Sequence, residues 1–554
     1  MLTDASSPGL LRLVFPAISV VIVIGFLKCF HRLYQARTLI RNISKKHGIP
    51  IMPHSFLFGH LVTVGKLMAK YPRNVHGQCL PVVLQEHFPE ICARGLVYVD
   101  IWPITPPMLA VFHPDMMSQF TVEKSLPKHE HLHHEFQPLT QCLDLVSLEG
   151  RLWKTWRSIF NPGFSAKNLI RLVPDMMEEV EVFREGLRAA ATQGTMIKMM
   201  QGAEKLTIDI IGRTVLGSRL RSQTMHNDFF EAMKGQIGWI IFDNQPQNLL
   251  SKNWNPIRPL AVWNNNRIMK RYLMPLIQEM LLGDKEIGGP KTILSLAIGA
   301  YKQSAENAKT LDSTFMDILT ANLKVFMLAG HDTTASILSY VYYVLSTNTA
   351  IRDAVRREHD AVFGSDPTTV TAKITATPTL LNQLPYTVAV IKETLRMFPP
   401  FGTIRAGSPD FFLTNPETGE RYPTEGMMIF GVSFASQRSK EFWPEPTRCI
   451  PERWLVPEGD PLHPRKNAFR TFELGPRNCI GQEMAMLELR MILAMTVRDF
   501  DIDTEYTADS PRVLGEPAYQ TMIVGQVSAY PKDGMPVRVR SRNIQAEDHN
   551  KNLA

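Results

Sequence analysis

The feature that most constrains this chain is one cysteine in a glycine-flanked loop. The loop is Phe472-Glu473-Leu474-Gly475-Pro476-Arg477-Asn478-Cys479-Ile480-Gly481, directly ahead of a helical pattern over Gln482–Arg498. Backbone N–H groups at a helix N-terminus favour a thiolate. Gly475 permits a tight turn, and Gly481 lets a flat group approach the main chain. Arg477 offers a fixed cation to a carboxylate.

The other cysteines stand at 29, 79, 92, 142 and 449. No pair has the close spacing of a zinc knuckle or a redox motif. Six in 554 residues are too sparse for a disulfide scaffold, so a reducing compartment is expected. A lone thiolate cannot close a zinc site, but it can be the axial ligand of a haem.

Charge restricts the function further. The net charge is +7, yet ten Lys/Arg and no Asp/Glu lie between Ala5 and Gln85, so the body is nearly neutral. A nucleic-acid partner calls for a basic body and is not expected. Leu13–Leu27 is apolar and free of charge, with Arg12 placed to snorkel at its end. Lys28, Arg32, Arg37, Arg41, Lys45 and Lys46 follow it. Positive charge after the apolar run opposes a cleaved signal peptide and is expected to stay cytoplasmic against anionic headgroups. This predicts a single-pass signal-anchor with a lumenal N-terminus, a cytoplasmic body and an unused sequon at Asn42. The expected division is an anchor over 1–30, a basic, proline-containing linker over 31–60, a body over 61–545 and a tail over 546–554.

Helical periodicity dominates the body, at Met176–Ala191, Glu204–Leu216, Phe315–Leu345, Ile351–Phe363, Pro385–Met397 and Met484–Arg498. Short β-type runs occur at Leu96–Ile101, Met108–Phe112, Met427–Phe434 and Met535–Val539. Breaks are expected near Asn244–Asn266, Gly288-Gly289-Pro290 and Pro457–Pro464. The fold class is therefore mainly α with small β-sheets. The helix over Phe315–Leu345 is expected to start on a Ser313 or Thr314 cap and to stop at Asn348. In its middle lies Ala329-Gly330-His331-Asp332-Thr333-Thr334. Glycine there costs about 1 kcal/mol against alanine, and threonine hydroxyls can bend a helix. The residues suit an opened helix ladder that leaves room for a ligand beside a hydroxyl and a carboxylate. A satisfied structural kink is the alternative.

The cysteine loop resembles the haem-binding loop of the cytochrome P-450 family, F-x-x-G-x-R-x-C-x-G, at every fixed position: Phe472, Gly475, Arg477, Cys479 and Gly481. Glu393-Thr394-Leu395-Arg396 is similar to the family's E-x-x-R, Pro451-Glu452-Arg453-Trp454 to P-E-R-F with Trp for Phe, and Trp153-Lys154-Thr155-Trp156-Arg157 to W-x-x-x-R. The resemblance implies the cytochrome P-450 fold and haem b, with Cys479 as the iron ligand. It implies propionate contacts from Trp153, Arg157, Arg405 and Arg477. Glu393, Arg396 and Arg453 would form a buried structural network. Asp332 and Thr333 would be the catalytic pair, Thr333 hydrogen-bonding dioxygen and Asp332 relaying protons. His331 is expected to be a helix-face residue.

The implied activity is a monooxygenase that inserts one atom of O2 into a hydrophobic small molecule at the endoplasmic reticulum membrane. The loop style resembles fungal members, which suggests secondary-metabolite biosynthesis. The chain shows no flavin or nicotinamide segment. Electrons are expected from an NADPH-cytochrome reductase, with cytochrome b5 as a further donor. Family position suggests Phe326, Ala329, Phe401, Thr403, Gln520, Thr521 and Met522 as pocket residues. The alternatives are a reductase-independent isomerase or dehydratase and a non-enzymatic haem sensor, and the Asp332-Thr333 pair argues against the first.

Overall fold

The computed structural model describes residues 8–240, 255–283, 290–304, 310–522 and 527–542. The expected tail over 546–554 and the glycines at 288 and 289 lie outside these residues.

Helix α1 spans Pro8–His47. Its apolar segment is exposed from Ile18 through Phe30, and it is long enough to cross a membrane. The expected linker over 31–60 begins differently: the helix runs on to His47 and turns only at Gly48, whose φ is +67°. Nothing between Lys28 and His47 breaks a helix, and tertiary contacts stabilise its last turns. Ala36, Arg37, Ile40 and Ile43 are buried against the body. Arg37 pairs with Asp100, which also receives His54 Nε2 at 2.9 Å. Burial pushes the neighbouring His60 down to about 4.

The body contains α2 (Gly150–Phe160), α3 (Ala166–Gln193), α4 (Met199–Val215), α5 (Asp228–Ile237) and α6 (Arg258–Leu282). These are followed by α7 (Ser313–Thr347), α8 (Thr349–Phe363), α9 (Pro385–Met397) and α10 (Gln482–Thr496). The break expected near 244–266 is helical from Arg258 onward. Asn266 is held by tertiary contacts: its Nδ2 donates to Pro138 O at 2.8 Å and its Oδ1 accepts from Lys324 Nζ at 2.8 Å. Turns cover the break at Pro457–Pro464.

Besides a hairpin of Phe412–Thr414 and Arg421–Pro423, the strands include β1 (Leu96–Val99), β2 (Met108–Val111), β3 (Met196–Lys198), β4 (Thr403–Ala406) and β5 (Met428–Gly431). Then come β6 (Phe500–Thr504), β7 (Gln520–Thr521), β8 (Tyr530–Pro531) and β9 (Pro536–Ser541). One sheet has the order β1-β2-β5-β4, with β2 and β5 parallel and Arg405 opposite Ile429. A second has the order β3-β9-β6, and β7 pairs with β8 as a short ribbon.

Helix α7 is the axis of the core and is buried along most of its length. Its N-cap is Asp312, whose carboxylate accepts from Phe315 N at 2.8 Å, rather than Ser313 or Thr314. Aspartate one residue earlier adds negative charge to the helix N-terminus. Asn348 ends the helix as expected. The helix runs without a break through Ala329–Thr334. Gly330 is explained by packing: a Cβ there would lie 2.6 Å from Ile211 Cδ1 of α4.

Candidate functional site

The cysteine loop is built by contacts on both of its sides. Gly475 has φ +85°, and a Cβ on it would lie 2.2 Å from Thr121 O. Main-chain approach therefore dictates this glycine. Cys479 N donates to Phe472 O at 2.9 Å, and Gly481 caps α10. Beyond Gly481 the space for a side chain meets only Cys479 Sγ, at 3.9 Å. Burial pushes the Cys479 thiol up, while the Gly481 N–H and the Arg157 guanidinium pull it down. Cys479 is itself exposed at the mouth of the space in front of the loop.

Behind the loop sits the acid–arginine cluster. Glu393, Arg396 and Arg453 are all fully buried, so the E-x-x-R pair is not a solvated surface pair. Glu393 accepts from Arg396 Nε and Nη2 at 3.0 and 2.9 Å, and from Arg453 Nε at 3.0 Å. Ile450 N and Trp454 Nε1 add bonds of 3.0 and 3.1 Å. Tryptophan in place of phenylalanine thus supplies a donor that phenylalanine lacks. Gln437 carries the cluster to the loop: its Nε2 donates to Arg396 O at 3.0 Å and its Oε1 accepts from Arg470 N at 2.8 Å.

In front of the loop is a slot of about 220 Å³ lined by Cys479, Thr333, Phe472, Arg477, Lys128 and Thr403, among others. Arg157 is held by Asn478, its Nη1 donating to the carbonyl at 3.1 Å and its Nη2 to Oδ1 at 3.0 Å. Arg477 lies over the Trp153 ring at 4.5 Å and donates to Leu148 O and Glu149 Oε2 at 2.9 and 3.0 Å. It is therefore already engaged rather than a free arm. Arg405 is fully buried and reaches only Thr403 Oγ1 and Ile404 O, at 3.0 Å each. Its Nε and Nη2 have no partner among the described residues.

Sequence reasoning missed Lys128, which belongs to no motif and precedes the helix Glu130–Thr140. Burial, then Arg405 and Arg477, push its ammonium well down. Burial likewise pushes Arg405 down to about 10. Orphaned buried donors and clustered cations beside a cysteine fit a flat ligand that carries carboxylates, as haem does.

Thr333 faces the slot, and its hydroxyl donates to Ala329 O at 2.8 Å. Asp332 turns away. Its Oδ2 accepts from Ser528 N at 2.7 Å and its Oδ1 accepts from Tyr530 Oη. Thr333 and Thr334 line the slot, whereas the Asp332 carboxylate is held beside them by Ser528 and Tyr530. His331 is buried on another helix face, against Phe230.

The expected pocket residues divide. Phe401 and Thr403 line the slot, Ala329 is exposed on α7, and Met522 lines an adjoining apolar cavity of about 110 Å³. Phe401 and Gly402 line both spaces, and His76, Met108 and Phe430 were missed. Phe326 is instead core, its ring 5.0 Å from Phe160. Gln520 Nε2 donates to Pro399 O at 3.0 Å and Thr521 Oγ1 to Tyr530 O at 3.1 Å, so both are absorbed by the β7–β8 ribbon.

A cytochrome P-450 family model matches residues 96–524. The chain is 35% identical over 535 residues to the cytochrome P-450 monooxygenase polC of Polytolypa hystricis, covering 94% of this chain and 95% of that one. It is 31% identical to the cytochrome P-450 monooxygenase acrF of Aspergillus aculeatus, covering 86% and 99%. Against human cytochrome P-450 3A7 the identity is 26%, covering 73% and 79%. The family binds b-type haem through a thiolate. The cysteine loop, the buried arginine cluster and these matches agree: the chain belongs to the cytochrome P-450 monooxygenase family.

Proposed function

We propose that this protein is a membrane-anchored monooxygenase that inserts one oxygen atom of O2 into a hydrophobic small molecule in secondary-metabolite biosynthesis. The observation that carries this reading is the slot lined by Cys479, Thr333 and the Lys128 and Arg477 cations, with buried Arg405 next to Lys128 behind its wall. Cys479 would ligate haem iron, and Arg405, Lys128, Arg157 and Arg477 would face its carboxylates. Trp153 holds the Arg477 guanidinium in place. When bound, thiolate-ligated haem supplies the oxidative chemistry that cleaves O–O. The chain's own residues hold the substrate, exclude water and place a hydroxyl, Thr333 Oγ1, in the slot. The apolar cavity along Leu80, Ile104, Met108, Phe430 and Met522 suits an apolar substrate.

Electrons would come from an NADPH-cytochrome reductase, with cytochrome b5 as a second donor. The site is the endoplasmic reticulum membrane, with the N-terminus lumenal and the body cytoplasmic. The likeness to fungal monooxygenases supports the secondary-metabolite role. The test is reductase-supported turnover under isotopically labelled O2 with polyketide and terpenoid candidates. The expected result is substrate-stimulated NADPH consumption and a product carrying one labelled oxygen. Product formation without reductase, or haem without substrate-stimulated turnover, would overturn the reading in favour of an isomerase or a sensor.

A further inference from the structure

Asp332 does not stand alone behind the slot. Tyr530 Oη bonds to Asp332 Oδ1 and, at 2.8 Å, to Glu204 Oε1 of α4. A phenol has one proton and cannot donate to two carboxylates at once. With both acids ionised, one of these contacts is a close approach of lone pairs inside the protein. The arrangement is satisfied only when one carboxyl carries a proton and donates it to the phenol oxygen. Ser528 N already donates to Asp332 Oδ2, which leaves Asp332 as the acceptor end and Glu204 as the protonated end.

We infer that Glu204, Tyr530 and Asp332 form a proton-storing relay, in which Glu204 holds one exchangeable proton and passes it through Tyr530 to Asp332. Glu204 Oε1 releases its proton to Tyr530 Oη, and the phenol gives its own proton to Asp332 Oδ1. Glu204 ends as a carboxylate and Asp332 as a carboxylic acid, one residue before Thr333. Water then reprotonates Glu204, and no electrons move.

The groups around the relay suit this. Asp332 and Tyr530 are buried, whereas Glu204 is half-buried and so open to solvent exchange. From α5, Lys234 faces it, paired with Glu231 at 2.7 Å. From α7, His331 faces both Lys234 and Asp332. Burial and Asp332 push the Glu204 carboxyl up to about 7, against the pull of Tyr530 and Lys234. Tyr530 and Glu204 are positioning residues, and their catalytic consequence rests on the monooxygenase reading above.

Infrared difference spectra of the holoenzyme, titrated from about pH 5 to pH 9, test the proton store independently of turnover. The expected result is a protonated-carboxyl band that is sensitive to deuterium exchange and absent in Glu204→Gln. In Tyr530→Phe the band shifts, because its acceptor is gone. A band that survives in Glu204→Gln, or one unchanged in Tyr530→Phe, would overturn the relay. In both variants the thiolate–CO spectrum reports folding. At unchanged CO spectrum, peroxide released per NADPH is expected to rise several-fold, and wild-type peroxide yield would overturn delivery to the slot. Failure of reductase-supported turnover in the wild type would refute the functional reading and leave the infrared result to decide the relay.

Discussion

Two clusters of buried arginines flank the cysteine loop, and they are completed in different ways. Behind the loop, all the guanidinium nitrogens of Arg396 are bonded to Glu393 or to the main-chain carbonyls of Gln437, Pro446 and Arg448. In front of it, Arg405 has two buried nitrogens without partners among the described residues, with Lys128 and Arg477 as well as Glu473 close by. In the first cluster Glu393 and Arg396 are fully engaged by the chain, and among the described residues only Arg453 Nη1 lacks a partner. In the second, Glu473 and Glu149 pair with Arg470 and Arg477, while Arg405 keeps donors that a ligand carboxylate would satisfy. Buried charge left unpaired is costly, so the difference separates residues that fold the protein from residues that hold its ligand.

The largest effect is expected from breaking the first cluster. Glu393→Ala leaves two buried guanidiniums without their acid and costs about 3–5 kcal/mol. Denaturant unfolding of the haem-free chain should show it, and an unchanged midpoint would break the comparison. Gly475→Ala is next. Its positive φ and the Thr121 collision should cost above about 2 kcal/mol, read in the same unfolding experiment.

Arg405→Leu should behave in the opposite sense. Haem-free stability is kept or raised, while haem dissociation to a scavenger speeds up about tenfold, the loss of one charged hydrogen bond. Equal destabilisation with and without haem would show that Arg405 is structural. Trp454→Phe sharpens the first cluster, since it removes only the indole donor to Glu393 and should cost about 1 kcal/mol.

The contrast also explains what could be read before the structure. Helix α9 runs over Pro385–Met397 as its periodicity and its leading proline indicate, and Asn348 stops α7 as expected. Both depend on local chemistry. Cys479, Thr333 and Arg477 come together because short-range patterns place them on a loop and helices that share one slot. Beyond the motif residues, what depends on distant partners was not legible. The direction of Asp332 is set by Tyr530, 198 residues later, and the glycine at 330 answers to Ile211 of another helix. The anchor helix passes its expected end because Asp100 receives Arg37. Lys128 and Glu204 carry no motif at all, and only the packed fold puts one beside Arg405 and the other beside Tyr530.

The measurement that bears most directly on the account is the carbon monoxide difference spectrum of the reduced protein, recorded on the wild type and on Cys479→Ala. The account predicts a red-shifted Soret band in the wild type that is lost in the variant while the fold survives. Properly folded wild-type protein without haem, or a thiolate band that persists in Cys479→Ala, would contradict it.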